Sequence, residues 1–294
     1  MPAVITHYLH AERVLDRLED EKPKKKYDRD AFLWGAQGPD IFFCHRVFPW
    51  QRGESLQKYG GRMHKEEPSK ILEAMRAYLK STSQKKLVSS YISGFLCHYS
   101  LDRTSHPFVQ FEADELYRME PEQSVQIFHH EVESALDVIM MRREKSELAS
   151  EFNLKDGFPK NSEVQEAIAG LYVFVLKELY KKEYPKELLI QVTGDARSGF
   201  GWLNDKSGLK KQFLERIERH GKRGKILSSH FRGLLEDGEY DYANTDLDIW
   251  FDGDEERSED YFAVFDRAVE DAVRLVLGFH RGDTLSILTE ERSF

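Results

Sequence analysis

The sequence predicts an all-α protein, a helical bundle with long connecting loops. Three observations carry the expectation. Apolar residues recur at three- and four-residue spacings through most of the chain, the period of a helix with one buried face. No run alternates apolar and polar residues in the manner of a half-buried strand, and no internal repeat is present. The chain has 294 residues, 40% of them apolar and 32% charged, enough to close a sizeable core.

Taken in order, residues 7–20 carry Leu9, Val14, Leu15 and Leu18 on one helical face. Residues 69–80 carry Ile71, Leu72, Met75, Tyr78 and Leu79. Residues 85–105 read as a third helix, with Pro107 expected to stop it. Residues 122–143 present Val125, Phe128, Val132, Leu136, Ile139 and Met140, and residues 162–182 present Val164, Ile168, Leu171, Val175 and Leu179. Residues 208–220 and 258–278 complete the set, with Ser258 as the expected N-cap of the last helix. Two long connections remain, 35–62, which opens GAQGPD, and the acidic 233–257, which holds Trp250. Neither has the character of a linker, so one domain over 1–294 is expected. Its distinctive motifs fall in 1–140; the role of the helical half 150–294 stays open.

The formal net charge of −9 argues against non-specific binding to nucleic acid, which calls for a basic footprint. It leaves room for phosphodiester chemistry at a metal site, because the ions bring their own positive charge. No stretch approaches the roughly 18–20 apolar residues of a membrane span. The opening MPAVITHYLH lacks the basic-then-apolar pattern of a secretory signal. Cys44 and Cys97 fit a compartment that keeps thiols reduced. The expected location is cytoplasmic, with the inner membrane face as the alternative.

The chemistry concentrates in HYSLDRTSH, residues 98–106. Four residues advance a helix by about 400°, so His98, Asp102 and His106 share a face. Two imidazoles and a carboxylate on a face bordered by Tyr91, Phe95 and Leu96 are costly to bury without a partner, and a divalent metal is the simplest one. His64 follows Gly60 and Gly61, His129 and Glu133 stand four apart, His7 opens the first helix and Asp40 ends GAQGPD. Imidazole and carboxylate without thiolate suit a catalytic zinc with an open position. His10 is an alternative to His7. His45, His220, His230 and His280 are expected to be structural or on the surface. His129 and His130 point about 100° apart, and only His129 stands a full turn from Glu133.

Together these pieces resemble the zinc-dependent phospholipase C family, whose helical fold is shared with single-strand-specific zinc nucleases. The matching segments are ITHYLHAERVL, FLWGAQGPDIFF, YGGRMHKEE, SGFLCHYSLDRTSHPFV and HHEVE, in family order over the first 140 residues. The resemblance implies that Asp40, His64, His98 and Asp102 ligate one zinc and that His106, His129 and Glu133 ligate a second. It implies that His7, with Asp102 as a bridging carboxylate, belongs to a third. Secreted members complete that third site with a processed N-terminal Trp, and this sequence opens Met1-Pro2-Ala3, so two zinc ions are expected.

The implied activity is metal-dependent phosphodiester hydrolysis of a phospholipid or related diester by metal-activated hydroxide, with Asp40 orienting or deprotonating the water. A nuclease or small phosphoesterase on the same metals is the alternative within that chemistry. A non-catalytic helical metal- or lipid-binding module is the alternative outside it. Phe42, Phe43, Phe48 and Trp50 read first as packing of the 35–62 connection and second as an apolar lip for acyl chains. The basic segment 208–225 offers a peripheral contact with anionic headgroups, although Glu215 and Glu218 interrupt its charge and favour a solvated face.

Overall fold

The computed structural model describes residues 4–22, 24–218, 227–233 and 240–294. Helices dominate, as expected. In chain order they are α1 (Val4–Glu21), α2 (Arg29–Gly35), α3 (Lys58–Met63), α4 (Pro68–Ser81), α5 (Lys85–Met119), α6 (Val125–Lys145), α7 (Leu154–Gly157), α8 (Ser162–Tyr180), α9 (Lys186–Leu203) and α10 (Leu209–Glu218). A short hairpin, β1 (Trp250–Asp252) and β2 (Glu255–Arg257), precedes α11 (Tyr261–Arg281) and α12 (Leu285–Thr289). Two 3-10 segments, Gly38–Cys44 and Ser228–His230, stand in the connections. No helix among the described residues is long and apolar enough to cross a membrane.

Three expectations need correction. Pro107 does not stop its helix; α5 runs through it to Met119. Proline has no N–H to offer the carbonyl four residues back, that of Arg103. Arg292 Nη2 donates to that oxygen instead, at 3.5 Å, so the acceptor keeps a partner. Ser258 is not the cap of α11; Asp260 is, its Oδ1 accepting from Ala263 N at 2.8 Å. The 233–257 connection does hold strand. Trp250 pairs with Arg257, and Gly253, at φ +63°, makes the two-residue turn that joins the strands. Trp250 is buried and its Nε1 donates to Glu259 O at 2.9 Å, which explains a tryptophan in an acidic loop.

The chain forms two compact units. The larger takes His10–Arg103, Lys155–Gly199 and Val269–Phe294; the smaller takes Met1–Leu9, Thr104–Leu154 and Phe200–Ala268. In the larger unit α2 crosses α5 at Gly35 and Gly94, where a Cβ on either would overlap the other helix's backbone. Asp28 caps α2 by accepting from Ala31 N at 3.0 Å. Tyr91 of α5 and Tyr172 of α8 share a hydroxyl–hydroxyl bond of 2.8 Å, and Tyr172 also donates to Gly38 O at 3.2 Å. Arg103 is buried and grips Asp271 of α11 through Nε at 2.9 Å and Nη2 at 2.6 Å.

Ser93 Oγ donates to Ser89 O at 2.9 Å, so toward His280 Nε2, also at 2.9 Å, it must accept. Burial first, then the charges of Lys25 and Arg76, push the His280 imidazole down to about 4. An unfolded chain carries this histidine near 6.5. The unfolded state therefore binds the extra proton between those values, and stability present above about pH 6.5 drains away as pH falls toward 4. His280→Gln keeps a donor for Ser93 and removes the titration. The slope of melting temperature against pH in that window should be shallower in the variant; an identical slope would show that His280 carries none of it.

In the smaller unit Asp137 of α6 closes the start of α1. Its carboxylate accepts from Ile5 N at 3.2 Å, Thr6 N at 2.7 Å and Thr6 Oγ1 at 2.8 Å, so first-turn donors of α1 are satisfied by another helix. Arg232 Nε balances the charge at 3.3 Å. Ser124 caps α6 by accepting from Ile127 N, and α10 is tied to the Ser228–His230 turn through Glu218, which accepts from Leu227 N and Ser228 N at 2.6 and 2.9 Å.

Candidate metal centre

Four of the expected ligands converge in the larger unit. Asp40 lies in the first turn of the 3-10 segment Gly38–Cys44, just after Pro39, and is buried. His64 caps the C-terminus of α3, and His98 and Asp102 stand one turn apart on α5. His64 Nε2 is 3.3 Å from Asp40 Oδ1 and 3.3 Å from Asp102 Oδ2, and His98 Nε2 is 3.3 Å from the same Asp102 oxygen. The ligand atoms of Asp40 and His98 lie within 4.8 Å of each other.

These separations bear on whether the residues form a hydrogen-bonded cluster or a metal cradle. Good N–H···O bonds fall at about 2.7–3.2 Å, shorter than all three. Donor atoms placed tetrahedrally at Zn–N and Zn–O lengths of about 2.0–2.2 Å stand roughly 3.3 Å apart. His64, His98 and Asp102 offer ligand atoms that all lie within 4.8 Å of one another, a donor type and spacing that suit zinc, and Asp40 Oδ1 reaches His64 Nε2 at 3.3 Å.

The protons agree with the distances. His64 Nδ1 lies 2.8 Å from Gly60 O, and a carbonyl can only accept, so Nδ1 donates and Nε2 is the atom turned to the carboxylates. Burial alone would lower the His64 pKa. The bond to Asp102 and the charges of Asp40 and Asp102 overcome it and raise the imidazole to about 9. A buried and a half-buried carboxylate favour a cation between them, and a divalent metal answers that demand better than one imidazolium.

The framing residues explain the sequence around the ligands. Phe43 stacks on His64, with centroids 5.9 Å apart at 25°. Phe42 is buried against Tyr172, and Trp50 is 74% exposed and stacks flat on Phe48 at 4.8 Å. The packing reading thus holds for Phe42 and Phe43 but not for Trp50. Phe294 was not foreseen. Its ring meets His64 at 5.2 Å, His98 at 5.9 Å and Tyr99 at 4.9 Å, and nothing in a terminal ERSF announces that placement.

Gly38 has φ +48°, and a Cβ there would overlap the His98 ring. Gly38→Ala combines left-handed strain of about 1–2 kcal/mol with displacement of a ligand. Zinc retained per chain should fall well below wild type along with melting temperature. Full zinc content in the variant would show that the ring has room to yield.

The second expected set lies in the smaller unit, where its ligand atoms do not close into a group within 4.8 Å of one another. His129 Nε2 lies 3.1 Å from Glu133 Oε1, and the His106 ring is 5.2 Å from that of His129. His106 is exposed, so this set has an open side. Burial would raise the Glu133 pKa, but bonds from His129 and His130 dominate and hold it far below the usual carboxylate range. His130 Nδ1 is 3.6 Å from Glu133 Oε2, and the His230 ring meets that of His130 at 4.2 Å, tilted by 43°. Sequence spacing set both aside: His130 is only three residues from Glu133, and His230 arrives from a distant turn. Burial and His130 push His230 down to about 3, which keeps it neutral.

The remaining histidines sort as follows. His7 is buried in the opening of α1, in the smaller unit, and His10 is buried in the larger. His45 is structural, its Nδ1 accepting from Leu56 N at 2.9 Å. His280 bonds to Ser93, and His220 lies outside the described residues.

No curated protein and no solved structure matches the chain. The family model described as zinc dependent phospholipase C matches residues 6–182. That span holds all eight expected ligands and continues past residue 140 to just beyond α8, farther than the motifs alone reach. The chain belongs to the zinc-dependent phospholipase C family, a family of phospholipase C hydrolases.

Proposed function

We propose that the protein is a phospholipase C-like phosphodiesterase that uses two zinc ions to hydrolyse a phospholipid or a related diester. The observation that carries the reading is the set of three 3.3 Å donor separations among Asp40, His64, His98 and Asp102. Those four residues hold one ion; His106, His129 and Glu133 hold the other. The family pattern assigns His7 as a further ligand. Bound zinc supplies positive charge to the phosphate oxygens and lowers the pKa of water to ~7.

The chain's own groups do the rest. Asp40 orients the attacking water and accepts its proton as the oxygen bonds to phosphorus. The phosphorus–oxygen bond to the glycerol then breaks, and the leaving oxygen takes up the proton that Asp40 accepted, giving diacylglycerol and a phosphorylated headgroup. Asp102 holds His64 and His98 in register through one carboxylate oxygen. The Gly60 carbonyl fixes the His64 tautomer, and the Phe43 and Phe294 rings keep the imidazoles from turning.

The test supplies zinc-loaded protein with phosphatidylcholine vesicles, a soluble aryl phosphodiester and single-stranded DNA in parallel. Diacylglycerol release that stops with a chelator and returns with zinc supports the reading. DNA cleavage without lipid turnover would move the assignment to a nuclease. Bound zinc with no turnover of any substrate would leave a non-catalytic module.

A further inference from the structure

Helix α10 is amphipathic in the wrong sense for a helix that belongs to a core. At 100° per residue, Leu209, Phe213 and Ile217 form one stripe, bracketed by Lys210 on one side and by Arg216 and Gln212 on the other. A surface helix of a globular protein turns its apolar stripe inward. Here the stripe faces out: Leu209 and Phe213 are each 64% exposed and Ile217 is 58% exposed. The half-buried side carries Lys211, Leu214, Glu215 and Glu218.

That placement removes the objection that the acids break the basic run. Glu215 and Glu218 are on the inner side, and Glu218 is occupied with the backbone N–H groups of Leu227 and Ser228. The outward face is left apolar, with exposed Arg216 at its edge. It is also held rigidly. Lys210 Nζ donates to Trp202 O at 3.0 Å and Asn204 O at 2.6 Å, which locks the start of α10 to the end of α9, and Trp202 is itself 39% exposed.

We propose that this face docks the chain on an anionic phospholipid surface. Leu209, Phe213 and Ile217 enter the boundary between headgroups and acyl chains, while Arg216 beside them meets lipid phosphates. Charge complementarity selects this occupant. In a chain of net charge −9, the sequence 208–225 holds seven Lys or Arg against two Glu, four of the cations lying outside the described residues, so this stretch of sequence is one that an anionic membrane attracts rather than repels. A second copy would bring two basic flanks together, which the same argument disfavours.

The inference deepens the proposed function by naming the surface on which the lipid is met, and it rests on that reading only for the substrate. The test is sedimentation of the zinc-loaded full chain with vesicles of phosphatidylcholine alone or equimolar phosphatidylcholine and phosphatidylserine. Binding is expected to the mixed vesicles and to weaken with salt. Phe213→Ser combined with Ile217→Ser should reduce partitioning at least about tenfold, and Arg216→Glu about fivefold or more.

Ile287→Ser is the control, since Ile287 is 75% exposed on α12 and should change nothing. Each variant should hydrolyse the soluble diester as wild type does. Binding that is absent, or unchanged in the double variant, or equally reduced by Ile287→Ser, overturns the proposal. So does a dimer in light scattering that the double variant converts to monomer. A chain that docks through α10 and hydrolyses nothing leaves the docking standing and removes the proposed function; hydrolysis without docking does the reverse.

Discussion

Replacing His98 with Ala should remove about one zinc per chain and, with it, phosphodiester hydrolysis. His98 is fully buried on α5, and its Nε2 is one of the two imidazole donors that face the Asp102 oxygen at 3.3 Å. Without it the larger unit offers His64 and two carboxylates. Loss of even an outer partner of a zinc ligand costs about 10–100-fold in affinity, so loss of the ligand itself should exceed the upper figure. The cavity left inside the unit also lowers stability by about 2–4 kcal/mol, and the measurement must separate the two effects.

Elemental analysis after gel filtration, with circular dichroism on the same sample, does so. His45→Ala is the matched control: His45 is equally buried, but it serves the Leu56 N–H and none of the carboxylates. The control should keep its zinc while losing stability. Equal zinc in wild type and His98→Ala would show that the four residues are a hydrogen-bonded cluster and not a metal cradle.

What was legible in the sequence follows from how local each constraint is. His98 and Asp102 were readable because one helical turn sets their separation, whatever else the chain does. His129 and Glu133 were readable for the same reason. The convergence of His64 and Asp40 with them was not a matter of periodicity. It depends on a capped α3, a 3-10 segment held by Tyr172 through the Gly38 carbonyl, and a glycine that leaves room for an imidazole. Only the resemblance joined those residues in advance.

The misreadings are equally physical. Pro107 is a stop signal by its missing N–H, but Arg292, far away in sequence, serves the carbonyl it strands. Ser258 and Asp260 are both competent caps, and two residues of register cannot be resolved from composition. The hairpin around Gly253 is too short for an alternating pattern to show. The outward face of α10 was hidden because the same charges read as solvated or as docking until the exposure of Phe213 and Ile217 is known.

Replacing Asp40 with Asn should lower hydrolysis of the soluble diester by about 10²–10⁴-fold, the range expected when a general base is lost. The side chains are nearly isosteric, and the backbone N–H of Asp40, which the substitution leaves in place, holds the segment through Gln37 O at 3.0 Å. Melting temperature should therefore change little.

The substitution does two things at one position. It removes a negative charge 3.3 Å from His64 Nε2, and it removes the group assigned to take the proton from water. Zinc content distinguishes them. A variant that keeps its zinc and loses turnover, with the acid limb of its pH–rate profile gone, has lost the base. A variant that loses both zinc and turnover has lost a ligand, and metal added in excess should then restore the rate. Turnover within a few-fold of wild type at full zinc content would sink the role of Asp40 in the chemistry. The proton would then have to leave by way of the other carboxylate of the same centre, and Asp102 is the one placed to receive it.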